Sequence, residues 1–474
     1  MTCQDATPAF VESLRTILPE DVLAAPEGAY FDEPRARFKG RAGIVARPRD
    51  TATVSTILGA CNAARVPVVP YAGGTGLVGG QVMGDGALPL LLSLERMTAI
   101  RDVDPLDNVM EVEAGAILAD VQAAAEGADR LFPLSLASEG SARIGGVLAT
   151  NAGGVQVLRY GNARDLCLGV EAVLADGTVI SGLKRLRKDN TGYDLRNLLI
   201  GSEGTLGVIT AATLRLFPAP RQSVTAVVAV PSAQRGLDVL TLMRDRAGAM
   251  LSAFELIHRA GLDFLAETLP DLRVPFPEGF DWYALIELTS GEGLDLPGLG
   301  EAALADGMER GLILDAALAQ SEAQRAALWQ VRESIPEANR RIGSISSHDI
   351  SVPVSRIPAF VEAGRDAIAA IDPALRINCF GHAGDGNLHY NVFPPRDRTR
   401  ADYEDIRPRV KETVHDLADS FDGSVSAEHG VGRLKAGDLV KYGDPGKLAA
   451  MRAVKDALDP NGILNPGAVL ELRK

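Results

Sequence analysis

The chain has 474 residues, with 62 acidic side chains against 48 lysines and arginines and a net charge of −14. A single hydrophobic core stops growing at about 250–300 residues, so this length predicts two or more domains. The acidic balance excludes nucleic acid and anionic membrane surfaces as expected partners, because both need a basic footprint on the protein.

The cysteines and the N-terminus bear on the compartment. Cys3, Cys61, Cys167 and Cys379 are scattered and form no Cys-x-x-Cys pair, so we expect neither a disulfide framework nor an iron–sulfur site. The first residues lack a basic region followed by an apolar run, and the longest apolar stretch, around 88–94, is too short to span a bilayer. We expect a cytoplasmic protein without a membrane span.

The first half of the chain predicts a glycine-punctuated α/β region. In chain order we expect a helix at 53–64, strands at 66–71 and 88–94, a strand at 168–174, a turn at 175–178 and a strand at 212–217. Glycine-rich loops at 72–80 and 140–161 interrupt these elements.

Pro218-Ala-Pro220 predicts a domain boundary, because the pattern changes after it. We expect strands at 224–230 and 282–288 that alternate with long helices at 237–246, 322–341 and 357–371, which indicates a separate α+β domain. From about Gly423 the chain returns to glycine-rich loops. We therefore predict domains at 1–219 and 220–422, and a C-terminal segment at 423–474 that packs back on the first domain.

The first glycine loop contains Gly74-x-Gly76-x-x-Gly79 after a predicted strand, and Glu95 follows at the distance where a nicotinamide-binding fold places its ribose-binding acid. That fold needs a helix to open at the third glycine. The next residues are rich in glycine, which starts helices poorly. We therefore predict an extended loop whose backbone N–H groups approach a pyrophosphate directly.

A second chemical signal is Gly381-His-Ala-Gly-Asp-Gly-Asn-Leu-His, which lies between two apolar runs that predict strands. Asp385-Gly386 is the dipeptide preferred by a two-residue type I′ hairpin turn. That turn would pair His382 with His389, with Cβ atoms roughly 4.5–5.5 Å apart on one face of the hairpin. Asn391 would lie on the same face.

Two histidines at this spacing indicate a shared divalent ion. A carboxylate from Glu428, in Ser-Ala-Glu-His-Gly, would complete a set with an open coordination position, as in catalytic zinc-type sites. The alternative is a pair of core histidines beside an unrelated acidic dipeptide.

Several segments, in this order, resemble the vanillyl-alcohol-oxidase-type FAD flavoproteins, and within them the D-lactate and D-2-hydroxyglutarate dehydrogenase branch. They are Pro70-Tyr-Ala-Gly-Gly-Thr-Gly-Leu, Ile144-Gly-Gly-Val-Leu-Ala-Thr-Asn-Ala-Gly-Gly, Tyr160-Gly, Leu199-Ile-Gly-Ser-Glu-Gly-Thr-Leu-Gly-Val-Ile-Thr, the two histidine segments above, and Asp459-Pro-Asn-Gly-Ile-Leu-Asn-Pro-Gly. The resemblance implies an α+β fold: a two-part FAD-binding domain of that type, an α+β, ferredoxin-like substrate cap, and a C-terminal segment that completes the active site.

The same resemblance implies which residues bind FAD. They are Gly73, Gly74, Thr75, Gly76 and Leu77 in the first loop, Gly145, Gly146, Thr150, Asn151 and Gly154 in the second, and Val208 and Ile209 near the adenine half. Some relatives bind the flavin covalently through a histidine in the first loop. Here that loop has no histidine, which implies non-covalent FAD.

For the chemistry, the resemblance implies that His382, His389 and Glu428 bind Zn²⁺, with Mn²⁺ or Co²⁺ as substitutes, and that His429 is the catalytic base. A D-2-hydroxy acid would then lose its hydroxyl proton to the base and its C2 hydride to flavin N5, giving a 2-oxo acid. His429 as a metal ligand is the alternative to its role as base.

Substrate recognition has its own candidate residues. Arg332 matches the family arginine that binds a substrate carboxylate, and Asn391 is a further candidate. The 2-hydroxyglutarate enzymes have a threonine and a lysine where this chain has Pro336 and Ser347, which puts recognition of a second carboxylate in doubt. Arg340, which we expect on the helical face of Arg332, is one candidate substitute.

His348, beside Ser347, is another candidate for that second carboxylate, with a packing role as its alternative. The leading hypothesis is a dehydrogenase of 2-hydroxyglutarate or D-lactate that passes electrons to an electron-transfer flavoprotein or a quinone. A hydrogen-peroxide-forming alcohol oxidase of the same fold and a subunit of a glycolate-oxidase-like complex are the alternatives. The complete histidine and glutamate set argues against a non-catalytic subunit. The sequence leaves open whether the protein forms a homodimer.

Overall fold

The computed structural model describes residues 3–472 and divides into two compact units. Unit 1 comprises the chain up to Gly153, Gly161–Ala219 and the chain from Glu428 onward. Unit 2 comprises Gly154–Tyr160 and Pro220–Ala427. The chain therefore leaves unit 1 twice, first for a short excursion within the second glycine loop and then for a long one.

The elements of the described residues are as follows. The α-helices are α1 (Pro8–Arg15), α2 (Thr51–Ala64), α3 (Leu118–Gly127), α4 (Ile144–Ala149), α5 (Val157–Tyr160), α6 (Leu195–Leu199), α7 (Ala233–Ala247), α8 (Arg259–Thr268), α9 (Leu296–Glu309), α10 (Glu322–Ile342), α11 (Ile357–Ala369), α12 (Arg407–Ser420), α13 (Ala436–Tyr442) and α14 (Pro445–Leu458). The strands are β1 (Leu23–Ala24), β2 (Ile44–Ala46), β3 (Val68–Tyr71), β4 (Leu90–Ser93), β5 (Ile100–Asp104), β6 (Val109–Glu113), β7 (Arg130–Leu131), β8 (Cys167–Val173), β9 (Val179–Ser181), β10 (Val208–Arg215), β11 (Phe217–Pro218), β12 (Gln222–Val230), β13 (Leu251–His258), β14 (Trp282–Ser290), β15 (Asp315–Leu318), β16 (Asp349–Ser351), β17 (Arg376–Gly381) and β18 (Asn387–Phe393).

Unit 1 contains two main sheets. The first has the strand order β1-β2-β4-β3, in which β4 runs parallel to both β2 and β3. Helix α2 begins after Asp50, whose side chain accepts the backbone N–H of Thr53, and buries Val54, Ile57 and Cys61. The second sheet, β5-β6-β10-β8-β9, is antiparallel throughout. The predicted helix at 53–64 and the predicted strands of this half are confirmed, with ends that shift by a few residues.

The C-terminal residues contribute to the core of unit 1. Ile463 and Leu464 are fully buried in the same apolar cluster as helix α2 and strand β4. The backbone N–H of Val68 donates to the carbonyl of Ile463, and the N–H of Asn465 donates to the carbonyl of Val68. Residues 463–465 are thus held beside the strand that leads into the first glycine loop.

Unit 2 is built on an antiparallel sheet of order β15-β12-β14-β13-β17-β18-β16. Strands β12 and β14 are buried along almost their whole length because both faces of the sheet are covered. Val228 belongs to one apolar cluster, with helices α7, α9, α11 and α12, while its neighbour Val227 belongs to another, with α8 and α10. The long helices expected in this half are confirmed, including α10, which continues through Pro336.

Both units combine helices with sheets, as the predicted α+β class requires. Within residues 3–472, no helix combines the length and the apolar character that a membrane crossing needs.

Candidate functional site

Unit 1 contains a cavity of about 540 Å³ that is lined mainly by the two glycine loops. This volume lies within the roughly 300–1,000 Å³ usual for small-molecule and cofactor sites. No helix opens at Gly79, since residues 72–87 contain no helical segment, so the prediction of an extended first loop is confirmed. The fold therefore presents backbone, not a helix N-terminus, along this side of the cavity.

The glycines allow a close approach of the two loops to each other and to their surroundings. A Cβ atom at Gly73 would collide with the carbonyl of Ser141 in the second loop, and one at Gly145 would lie 2.8 Å from the Cβ of Ala114. Gly74 has a φ of +69° and lies against the hydroxyl of Tyr71. Side chains at these positions would both crowd the loops and narrow the cavity.

The structure brings most of the expected FAD residues together. The cavity lining includes Gly73, Gly74, Thr75, Gly76, Leu77, Gly145, Gly146, Thr150, Val208 and Ile209. Asn151 does not belong to the lining, and its Oδ1 accepts the backbone N–H of Arg164 at 2.9 Å. Gly154 belongs to unit 2. The backbone-rich lining suits an elongated, phosphate-bearing cofactor.

Glu428 and His429 line the same cavity of unit 1. Each side chain is about one-fifth exposed, and the His429 Nε2 atom lies 4.0 Å from Glu428 Oε1. The predicted base and one predicted metal ligand thus line the same cavity as the two glycine loops.

Glu203 holds this C-terminal segment in place and had no assigned role in the sequence interpretation. Its buried carboxylate accepts the N–H groups of Val431 at 2.7 Å and Gly432 at 2.8 Å. Burial raises the pKa of Glu203, while these two N–H groups and Arg433 act in the opposite direction. An acid between two glycines, in Gly-Ser-Glu-Gly, is the signal that could have identified it.

In unit 2, the predicted hairpin is present but its turn was wrong. Phe380, not His382, pairs with His389, and residues 382–386 form a five-residue connection in place of a two-residue turn. The wider loop is closed by its own polar groups: the N–H of Asp385 donates to the His382 carbonyl, and Asp385 Oδ1 accepts the N–H of Asn387. These local bonds compete with the type I′ turn and shift the register by two residues.

The two histidine rings still lie close together despite the shifted register. The ring centroids of His382 and His389 are 5.6 Å apart and the ring planes are nearly perpendicular. His382 is buried and His389 half-buried. Asn391 follows His389 by two residues on β18, and its Oδ1 accepts the N–H of His348 at 3.0 Å.

Arg332 lies beside these histidines through a partner that sequence reasoning missed. Its Nε donates to Glu255 Oε2 at 2.6 Å, and Glu255 Oε1 lies 2.5 Å from His382 Nδ1. Burial by itself raises the pKa of Glu255, but Arg332 and His382 outweigh it and lower the pKa to about 2. A lone acid inside the apolar strand Phe-Glu-Leu-Ile was the available signal.

The remaining substrate candidates lie in different environments. Arg340 is about three-quarters exposed and pairs with Glu337, so it does not share the buried face of Arg332. Eight residues of an α-helix turn the face by about 80°, which the expectation overlooked. Ser347 Oγ lies 2.6 Å from Ser344 Oγ, and the buried His348 ring contacts the ring of His415 edge-on, with centroids 5.2 Å apart.

Comparisons with known proteins place the chain in a family. Residues 42–182 match the model described as an FAD binding domain, and residues 219–469 match the model described as the C-terminal domain of FAD linked oxidases. A probable mitochondrial D-2-hydroxyglutarate dehydrogenase of Oryza sativa is 38% identical over 92% of this chain and 76% of its own length. A D-2-hydroxyglutarate dehydrogenase of Xanthomonas citri is 37% identical over 90% of this chain and 89% of its own length.

Solved structures agree on the fold. An alkyldihydroxyacetonephosphate synthase superposes with a TM-score of 0.74 at 16% identity, covering 98% of this chain and 86% of its own. A substrate-bound p-cresol methylhydroxylase superposes with a TM-score of 0.73 at 15% identity, covering 98% and 96%. The chain therefore belongs to the FAD-linked oxidase family and is an FAD-dependent dehydrogenase with the fold of the vanillyl-alcohol-oxidase-type flavoproteins.

Proposed function

We propose that this protein oxidises a D-2-hydroxy acid, foremost D-2-hydroxyglutarate, to the corresponding 2-oxo acid in an FAD- and divalent-metal-dependent reaction. The observation that carries the proposal is the position of Arg332 beside His382. Among the contacts of the described residues, Arg332 uses only Nε for Glu255, and its two terminal nitrogens have no protein acceptor. A guanidinium held in this way can bind a carboxylate in bidentate fashion.

The proposed roles of the residues follow from their chemistry. Bound FAD would supply the hydride acceptor, and a bound divalent ion, Zn²⁺ in the first place, would supply a Lewis acid. His382, His389 and Glu428 are the proposed metal ligands, and Arg332 and Asn391 hold the substrate's carboxylate end. His429 takes the proton of the substrate hydroxyl, since a neutral imidazole near pH 7 is suited to that transfer.

D-Lactate is the second substrate candidate, and a specific observation favours it. The lysine expected to meet a distal carboxylate is replaced by Ser347, and Arg340 pairs with Glu337 at the surface. The names of the relatives nevertheless favour 2-hydroxyglutarate, since several across plants, animals and bacteria carry that name and match 90% or more of this chain. One of them, from yeast, is named a D-2-hydroxyglutarate–pyruvate transhydrogenase.

A panel of D- and L-2-hydroxy acids, assayed with a dye as electron acceptor, tests the proposal. We expect the highest kcat/KM for D-2-hydroxyglutarate, a lower one for D-lactate and none for the L enantiomers. Activity confined to alcohols without a carboxylate would overturn it. If air reoxidises the reduced flavin faster than an electron-transfer flavoprotein or a quinone does, the result would instead support the oxidase alternative.

A further inference from the structure

Five side chains of unit 2 form a closed ring of contacts. Glu255 contacts Arg332 at 2.6 Å and His382 at 2.5 Å, and the Arg332 guanidinium lies over the Phe380 ring, 4.8 Å from its centroid. The rings of Phe380 and His389 are 5.0 Å apart, and those of His389 and His382 are 5.6 Å apart. Two of the three predicted metal ligands and the predicted carboxylate-binding arginine therefore belong to one ring of contacts, in which the Glu255 carboxylate joins Arg332 to His382.

The chemistry of the partners fixes the tautomer of His382. Arg332 can only donate, so Glu255 Oε2 is committed to accepting its Nε–H. The other carboxylate oxygen can also only accept, so Nδ1 of His382 carries the proton of that contact. The lone pair then resides on Nε2, the atom that a neutral imidazole in this tautomer offers to a metal ion.

The same carboxylate orients the arginine. Nε is bonded to Glu255 and one face of the guanidinium lies on Phe380, so the plane of the group and the direction of its terminal nitrogens are fixed. Glu255 is fully buried and Arg332 is only 5% exposed, so solvent does not screen this arrangement. A change in the position of Glu255 or Arg332 would therefore change the position of the other.

We propose that Glu255 is a positioning residue that sets the metal-binding tautomer of His382 and the orientation of Arg332, and so couples the metal site to the carboxylate-binding site. The inference deepens the proposed metal-dependent function and rests on it.

The first experiment compares Glu255→Gln with a matched control. The introduced glutamine must turn its oxygen to Arg332, which leaves its amide N–H₂ facing Nδ1 of His382 and drives the ring proton to Nε2. Glu287→Gln is the control: Glu287 is 1% exposed on the adjacent strand β14 and accepts Arg325 of the same helix α10 at 3.0 Å. The Zn²⁺ affinity of the FAD-loaded full chain is measured by competition with a chromophoric chelator.

We expect Zn²⁺ affinity to fall about 10–100-fold in Glu255→Gln and to stay at the wild-type value in Glu287→Gln. Equal affinities in Glu255→Gln and the wild type, or equal losses in both variants, would overturn the inference while leaving the proposed metal dependence intact. A wild-type protein that binds no Zn²⁺ would overturn the proposed function itself.

A second pair of variants keeps the test valid where Glu255→Gln fails to fold with a buried, uncompensated arginine. Both carry Arg332→Met, which removes that charge. In Arg332→Met/Glu255→Gln the amide is free to turn its oxygen to Nδ1, so Zn²⁺ affinity should return to within a few-fold of the wild type. Arg332→Met/Glu255→Leu offers no acceptor and should bind Zn²⁺ about 10–100-fold more weakly. Equal affinities in the two double variants would refute the tautomer argument.

Discussion

Glu203 accepts the backbone N–H of Gly432 at 2.8 Å, and this contact joins residues 229 positions apart in the sequence. It ties the wall of the cofactor cavity to the segment that carries Glu428 and His429. A Cβ at Gly430 would lie 2.8 Å from Glu203 Oε1, so the segment approaches the carboxylate at three successive residues with Val431. The segment that carries the predicted base is therefore held by an acid outside the predicted catalytic set.

Glu203→Gln tests this dependence. The amide offers one acceptor oxygen in place of two, which leaves a buried N–H group without its partner at a cost of about 1–3 kcal/mol. We expect lower thermal stability and weaker FAD retention on dilution. Glu95→Gln is the control, because Glu95 accepts Tyr30 Oη at 2.7 Å in the same unit but does not line the cavity. Unchanged FAD retention in Glu203→Gln would contradict the role.

The pH dependence of stability should report Glu255. Its pKa is lowered to about 2 in the folded state, against about 4.3 for an unfolded glutamate. A depressed pKa contributes stability that is present above pH 4.3 and is lost as the pH falls toward 2, on the order of 3 kcal/mol in all. Urea unfolding at pH 7 and pH 3 should show that the wild type has a higher free energy of unfolding than Glu255→Gln, and this advantage should be smaller at the lower pH. An advantage that grows on acidification would show that the carboxylate is not the stabilising form.

FAD should be released from the polypeptide by acid or heat, because the first glycine loop has no histidine. Gly74→Val should weaken FAD retention, since the side chain would need a strained φ of +69° and would collide with Tyr71. Gly192→Val carries a similar strain at φ +93° with open space around it, and should retain FAD. Flavin fluorescence that stays with the denatured band on a gel would refute non-covalent binding.

Chelator treatment should abolish turnover of D-2-hydroxy acids, and Zn²⁺, Mn²⁺ or Co²⁺ should restore it, because imidazole and carboxylate ligands accept several divalent ions. His382→Ala and His389→Ala should lose bound metal and activity together, as measured by elemental analysis and dye reduction. His258→Ala, on a histidine whose Nδ1 accepts the N–H of Ala260 instead, is the control. Full activity in metal-free protein would rule out the site.

His429→Asn should retain FAD and metal yet reduce flavin about 10²–10⁴-fold more slowly in stopped-flow measurements, the usual contribution of a positioned base. The rate of flavin reduction in the wild type should rise with pH through one ionisation, because the base must be neutral to accept the proton. This pH-dependent rise should be missing in the variant. If the variant instead lost the metal but kept the pH-dependent rise, His429 would be a metal ligand, and His348 would be the next candidate for the base.

The sequence predicted elements better than contacts. Helix α10 follows from its apolar periodicity, and the strands β12 and β14 follow from their short, mostly apolar runs. The extended glycine loop follows from the poor helix propensity of its residues. The predicted pairing of His382 with His389 was wrong because the side chain of Asp385 and the carbonyl of His382 close a wider loop. A rule based on the Asp-Gly dipeptide does not include these competing hydrogen bonds.

Glu255 was missed for a related reason. Its partners Arg332 and His382 are 77 and 127 residues away, and only the folded sheet brings them together. Local patterns identify a buried acid as unusual, but they contain no information on which distant donors will satisfy it.

The short segment of residues 154–160, which belongs to unit 2, matters when unit 2 is produced as a separate fragment. Val155 lies against the apolar cluster on one face of the unit 2 sheet and Leu158 against the cluster on the other, while Arg159 donates to the carbonyl of Thr289 at 2.6 Å. Leu158 also covers Gly384, two residues from His382. A fragment of residues 220–427 would thus expose the loop of a predicted metal ligand, whereas a linker-fused peptide of residues 154–160 would cover it again.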